Sequence, residues 1–177
     1  ISLEDFRRFH EALGLRVPGA TRFHPFFHEI VSVEMVEPTE RPIELIRRVW
    51  PPLMLGDMMF SRGGCHVAGG SDHIVKDVAE HSILYWADRR KHRRCEDQSY
   101  GWGSNSQWRT ALRRDYQTPT GYSYNVDGAE SLNETSGVVE GVETATWVEL
   151  VRHRCVIRAE LTAPDPYPYC YAYEEES

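Results

Sequence analysis

The sequence predicts a single-domain α+β fold, a mixed or antiparallel sheet of four to six strands packed with three to five helices. Three observations lead there. A chain of 177 residues is the size of one domain and can bury its own core. Its composition, 41% hydrophobic, 27% charged and 11% aromatic, is that of an ordinary globular chain, and the aromatic share argues against disorder. Segments with apolar residues at helical spacing are interspersed with short β-branched or aromatic runs. The globular domain is read as residues 1–163, followed over 164–177 by an extended Pro/Tyr-rich tail. No apolar run approaches the ~20 residues of a membrane helix, and the expected location is the cytoplasm.

Taken in order, Ser2-Leu3-Glu4-Asp5 is a helix start, a hydroxyl cap with an acid three residues on. Phe6, Phe9 and Leu13 then keep helical spacing over 3–13, and Gly14 ends the turn. Pro18-Gly19 marks a loop. Ile30, Val31, Val33, Met35 and Val36 form a β-rich run, bounded by Pro38 and Pro42. Just before it, His24 and His28 stand four apart, but Pro25 between them disfavours a helical metal pair, and they read as surface histidines on an aromatic core. Ile43 to Trp50 is ambiguous between helix and strand.

Leu53 to Phe60 is nearly all apolar and reads as a buried strand, in which Asp57 is the anomaly. A carboxylate in such a run must be paired, hydrogen-bonded or neutralised. A structural partner among the arginines of 101–116 is the first reading; a functional carboxylate and simple edge exposure are the others. Ser61-Arg62-Gly63-Gly64 is a turn signal, with Cys65–Val67 as a return strand. Ser71-Asp72 caps a helix running to about Glu80, and Ser82 starts another. Tyr122–Gly128 is a short strand ending in an Asp-Gly turn. Residues 129–141 read as a mobile polar loop, Thr144–His153 as a helix, Cys155–Leu161 as a strand, and Glu174–Ser177 as a frayed end.

The net charge of −7 is unevenly spread. Residues 89–116 hold eight Arg/Lys against three Asp/Glu, and the remainder twelve against twenty-four. An acidic chain is a poor generic nucleic-acid binder, since that binding rests on neutralising phosphates. The run Arg89–Arg94 reads first as a solvated helix end. Only Lys76 and Lys91 are lysines, so the basic groups are mostly planar guanidinium forks suited to carboxylate or phosphate.

The densest stretch is 101–116. Trp102, Asn105, Gln107, Trp108, Arg109, Arg113 and Arg114 fall within it, a mixture that no core needs. Gly101 and Gly103 allow a sharp turn, and a helix from Gln107 would set Trp108, Ala111, Leu112 and Asp115 on one face. A glycine loop opening onto a helix suits an anion or a carbonyl.

Established chemistries are poorly represented. There is no Gly-x-Ser-x-Gly elbow, no His-Glu-x-x-His and no Cys-x-x-Cys. The four cysteines read as thiols. His66, His73 and His81 fit no familiar zinc spacing, and no metal or cofactor is expected. Asn133-Glu134-Thr135 matches a glycosylation triplet.

These features favour a non-enzymatic binding protein, of the bacterial immunity or partner-neutralising type. Its partner would be a protein, with a small anionic ligand as a second possibility and no role for nucleic acid or membrane. Trp, Tyr and Arg are common interface anchors, so Trp102, Trp108, Arg109 and Arg113 lead the binding set, with Tyr167 and Tyr169 secondary. The alternative is a small hydrolase or transferase for an anionic or amide substrate. There Asn105, Gln107 and Arg109 would orient it, Arg113 or Arg114 would stabilise charge, and Asp57, His66 or His73 would move protons.

Overall fold

A computed structural model describes residues 2–81, 114–159 and 170–176 of the chain. The predicted single-domain α+β arrangement is observed, with three helices and eleven short strands among the described residues. In chain order they are α1 (Leu3–Ala12), β1 (His28–Met35), β2 (Glu44–Arg48), β3 (Leu53–Leu55), β4 (Met58–Ser61) and β5 (Gly63–Gly69). Then come α2 (Lys76–His81), β6 (Tyr116–Thr118), β7 (Gly121–Tyr124), β8 (Glu130–Ser131), β9 (Val138–Val139), β10 (Val142–Glu143), α3 (Thr144–His153) and β11 (Tyr171–Glu176). None of these helices is long and apolar enough to cross a membrane.

The strands form a six-stranded sheet ordered β3-β4-β6-β7-β11-β8, a three-stranded sheet ordered β1-β5-β2, and the small β9/β10 hairpin. The three-stranded sheet is mixed, because β5 runs parallel to β1 and antiparallel to β2. Two apolar clusters result. Phe26, Met54, Met59, Tyr124, Trp147, Leu150 and Val151 pack the large sheet against α3. Ile30, Val33, Cys65, Val67, Ile74 and Ala79 pack the small sheet against α2. The segment after α3 joins them, with Val156 in the first cluster and Cys155 and Ile157 in the second.

The start of α1 follows the expected cap, Asp5 N donating to Ser2 Oγ across 3.1 Å. No residue of α1 is buried. Ile43–Trp50 resolves as a strand, β2, whose bulge at Ile46 lets an edge strand bend away from further pairing.

Five local expectations are corrected. Leu53–Phe60 is two strands of a hairpin, β3 and β4, reversing at Gly56-Asp57. Gly56 adopts φ +58°, a left-handed conformation that favours glycine, and Asp57 beside it is exposed. The carboxylate therefore needs no internal partner. Gly63 and Gly64 open β5 and are not a turn; they lie in a strand because Trp50 occupies the space that a side chain at Gly64 would need. Residues 155–159 form no strand; Ile157 N and Arg158 N donate instead to Glu149 Oε1, at 2.9 and 3.2 Å. The acidic end is not frayed, for Glu174–Glu176 belong to β11, hydrogen-bonded to β7 in the large sheet. Within 129–141, β8 and β9 give the polar segment regular pairing.

Candidate recognition site

Most of the predicted binding set, Trp102, Asn105, Gln107, Trp108, Arg109, Arg113, Tyr167 and Tyr169, lies outside the described residues, as does the Arg89–Arg94 run. Arg114 is described and exposed. Its guanidinium grips Asp127, with Nη2 donating to Oδ1 across 2.6 Å and Nε reaching both oxygens. That carboxylate holds the Arg114 pKa above the ordinary arginine value.

The three residues predicted to move protons stand on separate elements. Asp57 tips the β3/β4 hairpin, and its carbonyl accepts from Gln117 N. His66 lies in β5, its Nε2 at 3.2 Å from Arg47 Nη2. His73 follows β5, its Nε2 at 2.9 Å from the Glu40 carbonyl oxygen. Among the described residues, no group of three or more His, Cys, Asp or Glu is placed to hold a metal ion.

Asp115, directly ahead of β6, is a fully buried carboxylate. Arg62, between β4 and β5, donates Nη2 to its Oδ2 at 2.9 Å, and neither side chain is solvent-accessible. Arg154, the C-cap of α3, donates Nη2 to the same Oδ2. Asn125 N donates to Oδ1 at 2.8 Å. Arg154 and Asn125 both have positive φ, 61° and 52°. Such backbones persist where surroundings over-determine them, and here a shared carboxylate ties the two.

Next to this node lies the candidate site. Strand alternation sets Tyr122 and Tyr124 on one face of β7, with Glu175 and Tyr173 opposite them on β11. Tyr124 Oη donates to Glu175 Oε2 at 2.7 Å. Arg152, in the last turn of α3, donates Nε to the same oxygen at 3.1 Å and Nη2 to Oε1. Against the tyrosines rests the turn leading into β1: Phe26 lies 4.6 Å from the Tyr122 ring and His24 4.4 Å from it.

Five groups of displaced pKa meet here, the pattern expected of sites where environment has been used to set protonation. Burial pushes His24 down; Glu175 opposes this, while Arg152 and Arg62 add to it. Burial, with Arg48 nearby, takes His28 down to about 4. Burial and then Glu175 push both Tyr122 and Tyr124 upward. Burial pulls Arg152 down, but Glu175 and Tyr124 outweigh it and the net direction is up.

Hydrogen bonds fix the tautomers. Phe26 N donates to His24 Nδ1, and His24 N donates to His28 Nδ1, each across 3.2 Å. A ring nitrogen that accepts must carry a lone pair, so the proton of each neutral imidazole sits on Nε2. His28 is only 1% exposed, which corrects the surface placement expected from the sequence. Both histidines are thus held as Nε2–H tautomers, the two tyrosines are held protonated, and Glu175 pairs with Arg152.

The chain shows no match to protein-family models, to curated proteins or to solved structures.

Proposed function

We propose that this is a non-enzymatic binding protein that engages a polypeptide partner, in the manner of a partner-neutralising or immunity-type protein. The observation that carries the reading is the closed hydrogen bonding of His24, Tyr124, Glu175 and Arg152. A general base needs an available lone pair and a pKa near working pH. His24 and His28 have spent their lone pairs on backbone N–H groups, and Glu175 is occupied by Tyr124 and Arg152. His24 and Tyr122 are the cluster's partly exposed rings, and groups held in one arrangement suit recognition, where preorganisation lowers the cost of binding. The separation of Asp57, His66 and His73 adds support, since no shared partner joins them among the described residues.

The test is capture on the immobilised full chain from a lysate of the organism that encodes it, with a high-salt wash. The expected result is one polypeptide retained near stoichiometry by the wild type and lost from Tyr122→Ala and Trp102→Ala variants that keep the wild-type melting temperature. Absence of any stoichiometric polypeptide, or equal retention by wild type and both variants, overturns the reading.

A further inference from the structure

We infer that the outward face of the large sheet is a docking surface for a basic polypeptide segment, one that carries an apolar anchor with Lys or Arg beyond it. Strand pairing defines the face. Directly opposed residues point the same way. The pairs Leu55↔Met58, Met58↔Tyr116, Tyr116↔Ser123 and Ser123↔Glu174 therefore set five side chains in one row across β3, β4, β6, β7 and β11. Phe60 stands two residues from Met58 on β4, and Glu176 two from Glu174 on β11, so both share this face. The inference goes beyond the recognition reading, because Tyr122 and Tyr124 point to the other side of β7.

The row is apolar at one end and acidic at the other. Leu55, Met58, Phe60 and Tyr116 belong to neither apolar cluster of the described residues, and Leu55 is 48% and Phe60 55% exposed. A contiguous apolar patch held open on a sheet marks a contact surface. About 14 Å away, three strand spacings from β4 to β11, Glu174 and Glu176 are exposed and form no ion pair among the described residues. The neighbouring cations are already engaged. Arg114, ahead of β6, is closed on Asp127, and Arg16 donates to Gly56 O and to Gln117, which shares the Tyr122 side. Charge complementarity then selects the occupant. Nucleic acid and anionic bilayers are repelled by these carboxylates. A second copy docking by the same face would set them against its own carboxylates or its apolar end. A polypeptide with an apolar side chain and Lys or Arg fits both ends.

The test uses the full chain and a synthetic amphipathic Leu/Lys helix peptide as probe, with its Leu/Glu counterpart as control, followed by methyl NMR at low salt. The expected result is a saturable shift of the Leu55 and Met58 methyls with the Leu/Lys peptide alone, while the methyls of Met54 and Met59, in the core of the sheet's other side, stay in place. Phe60→Ser should weaken the apparent Kd about tenfold. Glu174→Lys with Glu176→Lys should weaken it about tenfold as well, a difference that shrinks as salt is added. Glu34→Lys, an exposed charge reversal on the other sheet, should change it less than about twofold, the residual effect of a distant, screened surface charge. Equal binding of the Leu/Glu peptide, a shift that never saturates, or a loss from Glu34→Lys equal to that of the double variant overturns the surface. So does a shift of the Leu55 and Met58 methyls with protein concentration alone, which would assign the face to a second copy. Such a failure leaves the recognition reading standing, since Tyr122→Ala alters the opposite face.

Discussion

Arg62 and Asp115 form an ion pair that water does not reach: Nη2 and Oδ2 are 2.9 Å apart and both side chains are fully buried. Arg154 adds a second guanidinium to the same oxygen. Such a pair is weak evidence for net stability, because desolvation offsets most of the attraction, but removing one partner strands the other. Asp115→Ala should therefore cost about 3–5 kcal/mol, read as a lowered midpoint in urea unfolding. Asp57→Ala, at an exposed turn, should stay within about 0.5 kcal/mol of wild type.

His28 makes the fold acid-sensitive. Its pKa is about 4 in the folded state against the ordinary 6.5. The unfolded chain therefore binds more protons between those values, and stability rises with pH across that window. As pH falls from about 6.5 to about 4, His28 alone should remove roughly 3 kcal/mol, at about 1.4 kcal/mol per unit. His28→Phe, which preserves a ring to stack on Phe23, should flatten this slope relative to wild type. Equal slopes in chemical unfolding at a series of pH values would count against the assignment.

Gly64 lies beneath the Trp50 indole. A Cβ there would come within 2.4 Å of the ring, while Trp50 Nε1 donates to the Arg62 carbonyl at 2.9 Å. Gly64→Ala should displace the indole, cost about 1–3 kcal/mol and shift the Trp50 indole N–H resonance. Gly19→Ala meets no atom within 4 Å and should leave that resonance where it is.

Asn133 serves as a substitute strand. Its Nδ2 donates to the Glu174 carbonyl at 2.8 Å, and Glu174 N donates back to Oδ1 at 2.7 Å. This closes β11 beyond the end of β8. Removing the carboxamide in Asn133→Ala should speed hydrogen exchange at the Glu174 amide roughly fivefold or more, from about 1 kcal/mol of lost local protection. An unchanged rate would show that the amide is protected by something else.

The fold class was legible because it rests on periodicity. Helix α3 is Thr144–His153, as the spacing of Trp147, Val148 and Val151 implies. β1 follows its β-branched run. What sequence could not show was pairing at a distance. Asp115 looked like one more polar group on a helix face, since Arg62 lies 53 positions before it and Arg154 39 after. Asp57 drew attention because it interrupts an apolar run, yet Gly56 before it was the turn signal that explained it.

The candidate site was half visible. The alternation of Tyr122 and Tyr124, and of Tyr171, Tyr173 and Glu175, is a strand pattern on the page. Reading 164–177 as a tail hid the second half of it. The sequence shows the spacing of His24 and His28, but their roles depend on which ring nitrogen meets a backbone N–H, and spacing carries no information about that.

Recognition at this cluster depends on His24 being a neutral Nε2–H tautomer. The most direct measurement is the pair of ring ¹⁵N shifts of His24 followed through a pH titration. The prediction is the Nε2–H tautomer at pH 7, with a midpoint below the ordinary 6.5. An Nδ1–H tautomer, or an imidazolium persisting above pH 7, would contradict it and make His24 a group able to move protons.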